Sequence, residues 1–507
     1  MRKLNQMSGS LRVLSLLALA CVLPGCGGGG QATIPPVTPP VTPAEHASVS
    51  VDVNTVLVQP FTGFGVEWDP YSFPPSAADW QTTLNRLSYM RPSLFRVMSM
   101  ATDYCLGFDQ SGTPIYVWNQ GDAAAQQALW QTFRILDYAQ ANNIDVILGE
   151  WSWPSSLPTP GASAIAGPDD PRWARIVADF VTYLTGTKHY TVIKYYNYMN
   201  EPNGAWMWPA GQTPNFSQWS TGILNLRAQF NSHSLNAVSI VGPDNAWDWQ
   251  WLDQAAQQIP GSTGAWDMHW YATDAETTGD SIQQLLYTKR TMLLSTDVNA
   301  AAKPRFLAEA GMLDGKTAAD QNPRVKLFEY GVLMADLGAQ VARAGWTGAN
   351  AWDLDDAMHT SGNNLKMWGF WNTYSAPGDA AEGIRPWFYT WSLMSRLFPK
   401  GSAIVSTNGD SALPGFRSMA ATWTSGANTE ATVMLVNDED SDCTITLTAA
   451  SLGKKDLYEY NYFAADRPVD GSGFPVLKKT LTGADLAGGI RVELPARGVV
   501  FLTTAAN

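Results

Sequence analysis

The chain has 507 residues and a net charge of −13, from 45 acidic and 32 basic side chains. This length accommodates a large barrel plus a second module, and a hydrophobic content of 45% can build a sizeable core. Because the sequence contains no basic stripe, we expect no nucleic acid partner.

The first 26 residues have the features of an export signal. Basic residues precede an apolar run at 13–23, which is too short to span a membrane as a mature helix. The run leads to LPGC, which resembles a bacterial lipobox in which Cys26 becomes the lipidated first residue. Ordinary cleavage near Ala20 is the alternative. We therefore expect an exported lipoprotein of the cell envelope, or else a secreted protein, with membrane contact only through this anchor.

Residues 27–46 are rich in Gly and then in Pro and Thr, which predicts a flexible tether without a core. Two further cysteines, Cys105 and Cys443, could pair in an exported protein or remain as separate buried thiols. No CxxC motif or His/Cys spacing for a metal occurs, so we predict no metal site and no cofactor.

From residue 47 onward the pattern of elements is clear. Residues 47–60 alternate as a strand does, and we expect this strand to join a C-terminal module. Over residues 61–398 strand-like runs alternate with helical stretches, which predicts parallel βα units. Eight units predict a (β/α)8 barrel. The eight strand segments are FTGFGVEWD, SLFRVMSM, DVILGEWSWP, VIKYYNYMNEP, VSIVGPDNAW, AWDMHWYATD, RFLAEAGM and GANAWDLDD.

The pattern changes over residues 399–507. Short alternating segments such as ATVMLVND, CTITLTA and GVVFLTT are separated by turn residues, and no helical stretch lies between them. This pattern is typical of an antiparallel β-sandwich.

Two carboxylates stand at the ends of predicted barrel strands. Glu201 follows the fourth strand in YYNYMNEPNG, and Glu309 ends the seventh in RFLAEAGM. Barrel enzymes build their sites at these carboxyl ends, and two carboxylates there are the minimal equipment for cleaving a glycosidic bond. The alternative is that both acids merely cap helices or lie in surface loops.

These segments resemble the clan A retaining glycoside hydrolases over roughly residues 47 to 505. MNEPN is similar to a segment of family 39, while FTGFG, HWY and the C-terminal sandwich are more similar to family 30. Met199 replaces the usual Trp, and AEAG stands where Thr-Glu is commoner, so the family stays open. The resemblance implies that Glu309 is the nucleophile, that Glu201 is the acid/base, and that Asn200 binds a sugar hydroxyl.

Other side chains at strand ends complete the predicted site. An ionised nucleophile needs a cation or donors nearby, and Arg96 and Tyr271 are the candidates. The pKa of the acid Glu201 should be raised by nearby negative charge and apolar walls. Trp352 would form a stacking floor under the sugar. The further candidates for substrate contact are Trp151 and His269.

Each of these assignments has a structural alternative. Arg96 could be a structural ion pair, His269 a satisfied core histidine and Trp352 plain core. Two more acids, Glu67 and Glu150, rival the catalytic pair. The acidic run Asp353, Asp355 and Asp356 could bind a cation or sugar, but we expect a solvated loop.

The sequence therefore predicts a retaining glycoside hydrolase that acts on a carbohydrate. A non-catalytic glycan-binding protein on the same barrel is the alternative, although both carboxylates are present. A barrel enzyme of different chemistry, such as a lyase or a metal-dependent hydrolase, is a third hypothesis, which the lack of His/Asp metal clusters disfavours.

Overall fold

The computed structural model describes residues 45–119, 127–374, 383–409 and 415–506. The predicted export signal, Cys26 and nearly all of the tether lie outside these residues. Among the described helices, none combines the length and apolar character that a membrane crossing requires.

The strands of the described residues are numbered in chain order. They are β1 (Glu45–Val58), β2 (Gly63–Glu67), β3 (Leu94–Ser99), β4 (Cys105–Phe108), β5 (Pro114–Tyr116), β6 (Asp145–Glu150), β7 (Ile193–Asn197), β8 (Ser239–Ala246), β9 (Ala265–Ala272), β10 (Arg305–Met312), β11 (Gly348–Ala351), β12 (Thr360–Ser361), β13 (Asn364–Leu365), β14 (Ala403–Asn408), β15 (Phe416–Ser425), β16 (Asn428–Asn437), β17 (Cys443–Thr448), β18 (Lys454–Tyr462), β19 (Lys479–Asp485), β20 (Ile490–Leu494) and β21 (Gly498–Thr503).

The helices of the same residues begin at capping signals in several cases. They are α1 (Ala77–Met90), α2 (Ala101–Tyr104), α3 (Gln127–Asn142), α4 (Pro171–Thr182), α5 (Phe216–Ser232), α6 (Trp249–Gln258), α7 (Asp274–Thr278), α8 (Ser281–Thr296), α9 (Phe328–Arg343) and α10 (Trp387–Leu397). Asp170 accepts a hydrogen bond from the Arg172 backbone and precedes Pro171 at the start of α4. Such a cap followed by Pro in the first turn is a strong start signal.

The described strands include a closed parallel barrel, in the order β2-β3-β6-β7-β8-β9-β10-β11. The predicted (β/α)8 barrel is thus confirmed. Closure joins β11 to β2, with Gly348 opposite Gly63. A Cβ at Gly65, in the middle of β2, would lie 1.9 Å from the Leu94 carbonyl oxygen, so this position admits only glycine.

The barrel interior has two layers of different character. The lower layer, toward the amino ends of the strands, is an apolar cluster of Leu94, Ile147, Val241, Ala265, Phe306 and Ala308. The upper layer, toward the carboxyl ends, is a set of buried polar residues comprising Glu67, Arg96, Asn200, Asp244, His269 and Glu309. Substrate chemistry in barrel enzymes takes place above such an upper layer.

Two irregular strand positions direct acids into the upper layer. In β10 the pairing register shifts between Leu307 and Glu309, and in β8 it shifts between Gly242 and Asn245, around Asp244. A strict two-residue alternation would send Glu309 to the face opposite Ala308. Since a bulge re-aims the side chains that follow it, these shifts bring both acids inward.

The C-terminal strands and β1 form one nine-stranded sheet, in the order β19-β18-β21-β16-β15-β14-β1-β17-β20. Its pairs are antiparallel except that β1 runs parallel to β17. The sheet encloses its own apolar core, which includes Val49, Leu435, Ile445 and Leu502. The predicted β-sandwich is confirmed, with this one parallel pair as an exception.

Helix α9 lies between the barrel and the sandwich. The rings of Phe328 and Tyr462 stack with centroids 4.3 Å apart, and the Tyr462 hydroxyl donates to the Phe328 carbonyl at 2.8 Å.

Cys105 carries a free buried thiol, so it does not form a disulfide with Cys443. Burial raises the pKa of the Cys105 thiol to about 11.

Candidate active site

The two predicted catalytic carboxylates meet at the carboxyl end of the barrel. Glu309 lies within β10, and Glu201 lies in the loop after β7, where its φ of 39° is in the left-handed region. One carboxylate oxygen of each, together with a His269 ring nitrogen, lie within 4.8 Å of one another. The fold therefore joins two acids that are distant in sequence.

Three donors contact Glu309. The Arg96 guanidinium donates to its Oε1 at 2.7 Å, and the Tyr271 hydroxyl donates to its Oε2 at 2.7 Å. The His269 ring nitrogen Nδ1 is 3.4 Å from Oε1. Burial raises the pKa of Glu309 to about 7, against the lowering effect of His269 and Arg96. Burial therefore outweighs the two cations in setting this pKa.

Glu201 is also held through both oxygens. The Trp206 indole donates from Nε1 to Oε2 at 2.7 Å, and His269 Nδ1 lies 3.0 Å from Oε1. The same histidine contacts Asp244 through Nε2 at 3.0 Å. One imidazole thus bridges the acid at the cavity and a fully buried acid below it.

Arg96 is the centre of the upper layer. Its guanidinium nitrogens reach Glu67 at 2.5 Å, Asn200 at 2.7 Å and Asp244 at 2.9 Å, in addition to Glu309. Arg96 is fully buried. Because a buried ion without partners is very costly, removal of this arginine would leave several carboxylates uncompensated. Arg96 is therefore both a structural ion pair and a contact of the proposed nucleophile.

The charges of the upper layer follow from its packing. Burial lowers the pKa of His269, but Asp244 and Glu309 outweigh burial and keep the pKa well above its usual value. Although burial raises the pKa of Asp244, Arg96 and His269 outweigh it and lower the pKa of this acid. Burial raises the pKa of Glu67 well above normal despite Arg96. Two cations, Arg96 and His269, therefore face ionised Asp244 and the predicted catalytic carboxylates Glu201 and Glu309.

A cavity of about 450 Å³ opens above these groups. Six of its thirteen lining residues are aromatic, and three are charged in addition to Glu201 and Glu309. The lining residues are Trp151, Asn200, Glu201, Trp206, Met207, Trp247, Tyr271, Glu309, Lys316, Asp320, Trp352, Lys366 and Trp368. Flat aromatic faces around two carboxylates form a surface suited to a sugar ring.

The predicted contact residues fall into two groups. Trp151, Asn200, Tyr271 and Trp352 line the cavity. The Trp151 and Trp352 rings meet edge to face with centroids 6.1 Å apart. Arg96 and His269 are fully buried below the cavity and contact its carboxylates.

The two rival acids are buried away from the cavity wall. Glu67 is a partner of Arg96. Glu150 accepts hydrogen bonds from the hydroxyls of Tyr104 at 2.7 Å and Tyr196 at 3.0 Å. Burial raises the pKa of Glu150 to about 8. Neither Glu67 nor Glu150 lines the cavity, whereas Glu201 and Glu309 do.

The expectation of a solvated acidic loop after the eighth strand is wrong. Asp353, Asp355 and Asp356 are all buried. Asp356 is held by Arg385, whose two terminal nitrogens lie 2.9 and 2.5 Å from its oxygens, and Asp355 accepts from Thr373 and Trp371. Donors from the same loop region hold Asp355 and Asp356. Asp353 has no hydrogen-bond partner among the described residues, and burial raises its pKa well above its usual value.

Two groups of side chains among the described residues have the spacing of metal ligands. They are Glu67, Asp69 and His359, and Glu201, His269 and Glu309. Arg96 already supplies positive charge to both, through Glu67 and Glu309. Arg96 therefore balances part of the negative charge that a metal ion would balance, and the absence of a metal stays a prediction.

Several functional candidates were missed by sequence reasoning. His359 stacks on Trp352 with ring centroids 5.0 Å apart and an angle of 12°. Burial lowers the pKa of His359 to about 3, so its ring is neutral. The other missed residues are Trp206, Trp247, Lys316, Asp320, Lys366 and Trp368. Most lie in long loops, where only the local richness in Trp gave a signal.

No protein-family model matches the chain. No curated protein matches it either. Solved structures do match over nearly the whole chain. The catalytic domain of the family 30 xylanase C from Talaromyces cellulolyticus is 17% identical with a TM-score of 0.61, covering 90% of this chain and 100% of that one.

Two further matches are a glucosidase from Croceicoccus marinus and the family 39 enzyme from Xanthomonas axonopodis pv. citri. The first is 14% identical with a TM-score of 0.63 and covers 92% of this chain and 100% of its own. The second is 13% identical with a TM-score of 0.59 and covers 93% and 99%. The chain therefore has the fold of the family 30 and family 39 glycoside hydrolases, which confirms the resemblance at the level of fold.

Proposed function

We propose that this protein is a retaining glycoside hydrolase with a carbohydrate substrate. The observation that carries the proposal is the pair Glu201 and Glu309, with oxygens less than 4.8 Å apart on one aromatic cavity. Retaining enzymes hold their carboxyl groups about 5–5.5 Å apart, whereas inverting enzymes need about 6.5–9.5 Å for a water molecule. The 4.8 Å limit applies to the nearest oxygens and not to the whole carboxyl groups, and it favours the shorter, retaining arrangement.

In the first step Glu309 attacks the anomeric carbon and forms a glycosyl ester. The bond from that carbon to the leaving oxygen breaks, and protonated Glu201 gives its proton to this oxygen. Arg96 and Tyr271 donate to the Glu309 oxygens and hold the carboxylate for attack. These donors also stabilise the negative charge that returns to Glu309 in the second step.

In the second step Glu201 acts as the base. It removes a proton from a water molecule, whose oxygen attacks the anomeric carbon and displaces Glu309. The product keeps the configuration of the substrate, because each step inverts it once. Glu201 ends protonated and Glu309 ends ionised, as the cycle requires.

The cavity supports recognition of a sugar next to the catalytic pair. The Trp352 ring, which would lie under the bound sugar, is held in place by stacking on the His359 ring. Asn200 lines the same cavity beside Glu201 and is oriented by its bond from Arg96. The similar structures include a xylanase and a glucosidase, so aryl xylosides and glucosides of both anomeric configurations, together with xylan, belong in the first substrate panel.

Proton NMR of the first product released from an aryl glycoside tests the proposal. We expect the anomer with the substrate's configuration to appear first and then to mutarotate. Initial release of the inverted anomer would refute the mechanism and the roles of both acids. Glycan binding without hydrolysis across the panel would instead favour a non-catalytic binding protein.

We also propose that the protein is exported and anchored through Cys26, on the strength of the LPGC motif. The native protein should partition into detergent, and Cys26→Ser should shift it to the soluble fraction. A soluble wild-type protein with an N-terminus near Cys21 would contradict the anchor.

A further inference from the structure

Trp206 is unusual among the residues of the cavity. It lies in a 3₁₀ turn, Ala205–Met207, directly after the proposed acid/base. Its side chain is 60% exposed, although its indole Nε1 donates to Glu201 Oε2 at 2.7 Å. An exposed aromatic ring therefore makes a direct hydrogen bond to the acid/base.

The turn under Trp206 is anchored, whereas its ring is lightly held. The Gly204 amide donates to the Glu201 carbonyl at 2.8 Å, and the Trp208 indole donates to the Pro202 carbonyl at 2.8 Å. The Trp206 ring covers Gly204, where a Cβ would come within 2.3 Å of it. Its aromatic neighbour is Trp247, edge to face at 6.2 Å. The ring can thus leave its position while the turn stays in place.

The second oxygen of Glu201 faces another donor. Its Oε1 lies 3.0 Å from Nδ1 of His269, whose other nitrogen is 3.0 Å from Asp244. Flanked by Asp244 and Glu309, the imidazole is charged and donates from both nitrogens. Both oxygens of Glu201 therefore accept hydrogen bonds.

This arrangement favours one form of the acid. An N–H donor faces each oxygen of Glu201, and hydrogen bonds donated to a carboxylate stabilise its ionised form over its protonated form. Each oxygen keeps a second lone pair, so the preference comes from this stabilisation. The closed arrangement thus matches ionised Glu201, which is the base and not the acid.

We propose that Trp206 is a positioning residue that holds Glu201 as a carboxylate, and that the leaving-group part of the substrate displaces the indole so that Oε2 can take up a proton. This inference rests on the proposed role of Glu201. Oε2 gains its proton from solvent once the indole has moved, and passes it to the glycosidic oxygen, which leaves Glu201 as the carboxylate. Departure of the leaving group lets the indole return. The carboxylate then removes a proton from the attacking water, and this proton is released to solvent before the next cycle.

Other groups around Glu201 also affect its protonation. On the cavity wall are Glu309 and Tyr271, with Lys316, Asp320 and Lys366 farther out. Below lie His269, Arg96, Asp244 and Glu67. The substitution Trp206→Phe leaves all of these side chains unchanged and removes one donor. A change in the titration of Glu201 in that variant would therefore report on the indole contact.

The test is the pH dependence of kcat/KM for the wild type and Trp206→Phe with an aryl glycoside. The basic limb reports loss of the proton from the acid. Loss of a donor to the carboxylate should move this limb upward by about one pH unit, because such a hydrogen bond stabilises the ionised form. The kcat for a substrate with a very good leaving group should fall, since the base step then limits turnover.

Trp247→Phe is the matched control. Trp247 lines the same cavity, and its indole nitrogen has no hydrogen-bond partner among the described residues. This variant should alter KM without moving the basic limb. An unshifted limb in Trp206→Phe, or an equal shift in both variants, would overturn the proposal.

A measurement without turnover separates this inference from the proposed function. The Trp206 emission should titrate with Glu201, so the fluorescence-detected transition should vanish in both Trp206→Phe and Glu201→Gln. An enzyme that is active but lacks this transition refutes the indole contact alone. A protein with the transition but with no glycosidase activity refutes the proposed function and keeps the contact.

Discussion

The two layers inside the barrel differ in what they contribute. In the lower layer, Phe306 and its apolar neighbours are fully or almost fully buried and fill the barrel by simple packing. In the upper layer, fully buried Arg96 binds three carboxylates and an amide. Apolar burial stabilises a fold directly, whereas buried ion pairs roughly offset their own desolvation. The comparison indicates that the lower layer stabilises the barrel and the upper layer is organised for chemistry.

The largest expected effect is a loss of activity in the upper layer. Glu309→Gln removes the proposed nucleophile, and kcat should fall by a factor on the order of 10⁶, as for other covalent nucleophiles. Initial rates on a reactive aryl glycoside measure this loss. Residual activity above about 1% of wild type, with contamination excluded, would contradict the assignment.

The same variant should not lose stability. The pKa of Glu309 rises from 4.5 to about 7 on folding, so the wild type loses stability as pH rises between these values. Glutamine lacks this titration. Thermal melts should show Glu309→Gln at least as stable as wild type at pH 8, with a smaller advantage at pH 5. A clear destabilisation of Glu309→Gln at pH 8 would contradict the statement that the upper layer contributes little to stability.

Glu201→Gln should have a smaller effect that depends on the substrate. General acid catalysis contributes about 10²–10⁴-fold, and substrates with very good leaving groups need little of it. Cleavage of poor leaving groups should therefore fall most. Added azide should restore turnover of activated substrates by attacking the glycosyl ester in place of water. The measurement is a series of aryl glycosides of graded leaving ability, and a uniform loss without azide rescue would contradict the role.

In the lower layer the pattern should reverse. Phe306→Ala opens a cavity beside Tyr195, whose ring centroid lies 5.0 Å away, and should cost about 3–5 kcal/mol in the free energy of unfolding. The kcat of the folded variant should stay close to wild type. Denaturant unfolding together with kcat measures both, and Phe306→Leu is the control with a smaller cavity. If Phe306→Ala kept normal stability but lost activity, the lower layer would serve catalysis and not stability, contrary to our expectation.

The smallest expected effect concerns acid pH. Glu309 must be ionised to attack, and burial raises its pKa to about 7. With a substrate whose leaving group needs no protonation, the acid limb of kcat/KM should therefore lie near pH 7, with about a tenfold loss per unit below it. A profile with its acid limb near the ordinary glutamate value of 4.5 would show that the donors around Glu309 outweigh burial.

Much of the fold could be predicted because its signals are local. Each barrel strand is a short apolar run, and Glu201 and Glu309 stand at the ends of two of them. The inward direction of Glu309 follows from the family resemblance but not from the strand pattern, since it depends on the register shift in β10. Alternation along the strand alone would place it on the other face.

Loop residues could be predicted least. Trp206 and His359 lie in segments without periodicity, so nothing in the sequence indicates which way their rings face. The burial of Asp356 also depends on a distant partner, as Arg385 binds it across the folded loop. The sequence identifies acids and aromatic residues, but the fold alone decides which of them share a cavity.

The place of β1 in the sandwich has a consequence for biosynthesis. This strand is among the first parts of the fold to be translated, yet it lies inside the sheet between β14 and β17, with His46 opposite Thr444. Its partners leave the ribosome only after the entire barrel. Pairing over such a sequence distance is slow, and an unpaired strand is prone to aggregation. Chaperones that cover this segment until synthesis ends should therefore improve the yield of recombinant protein.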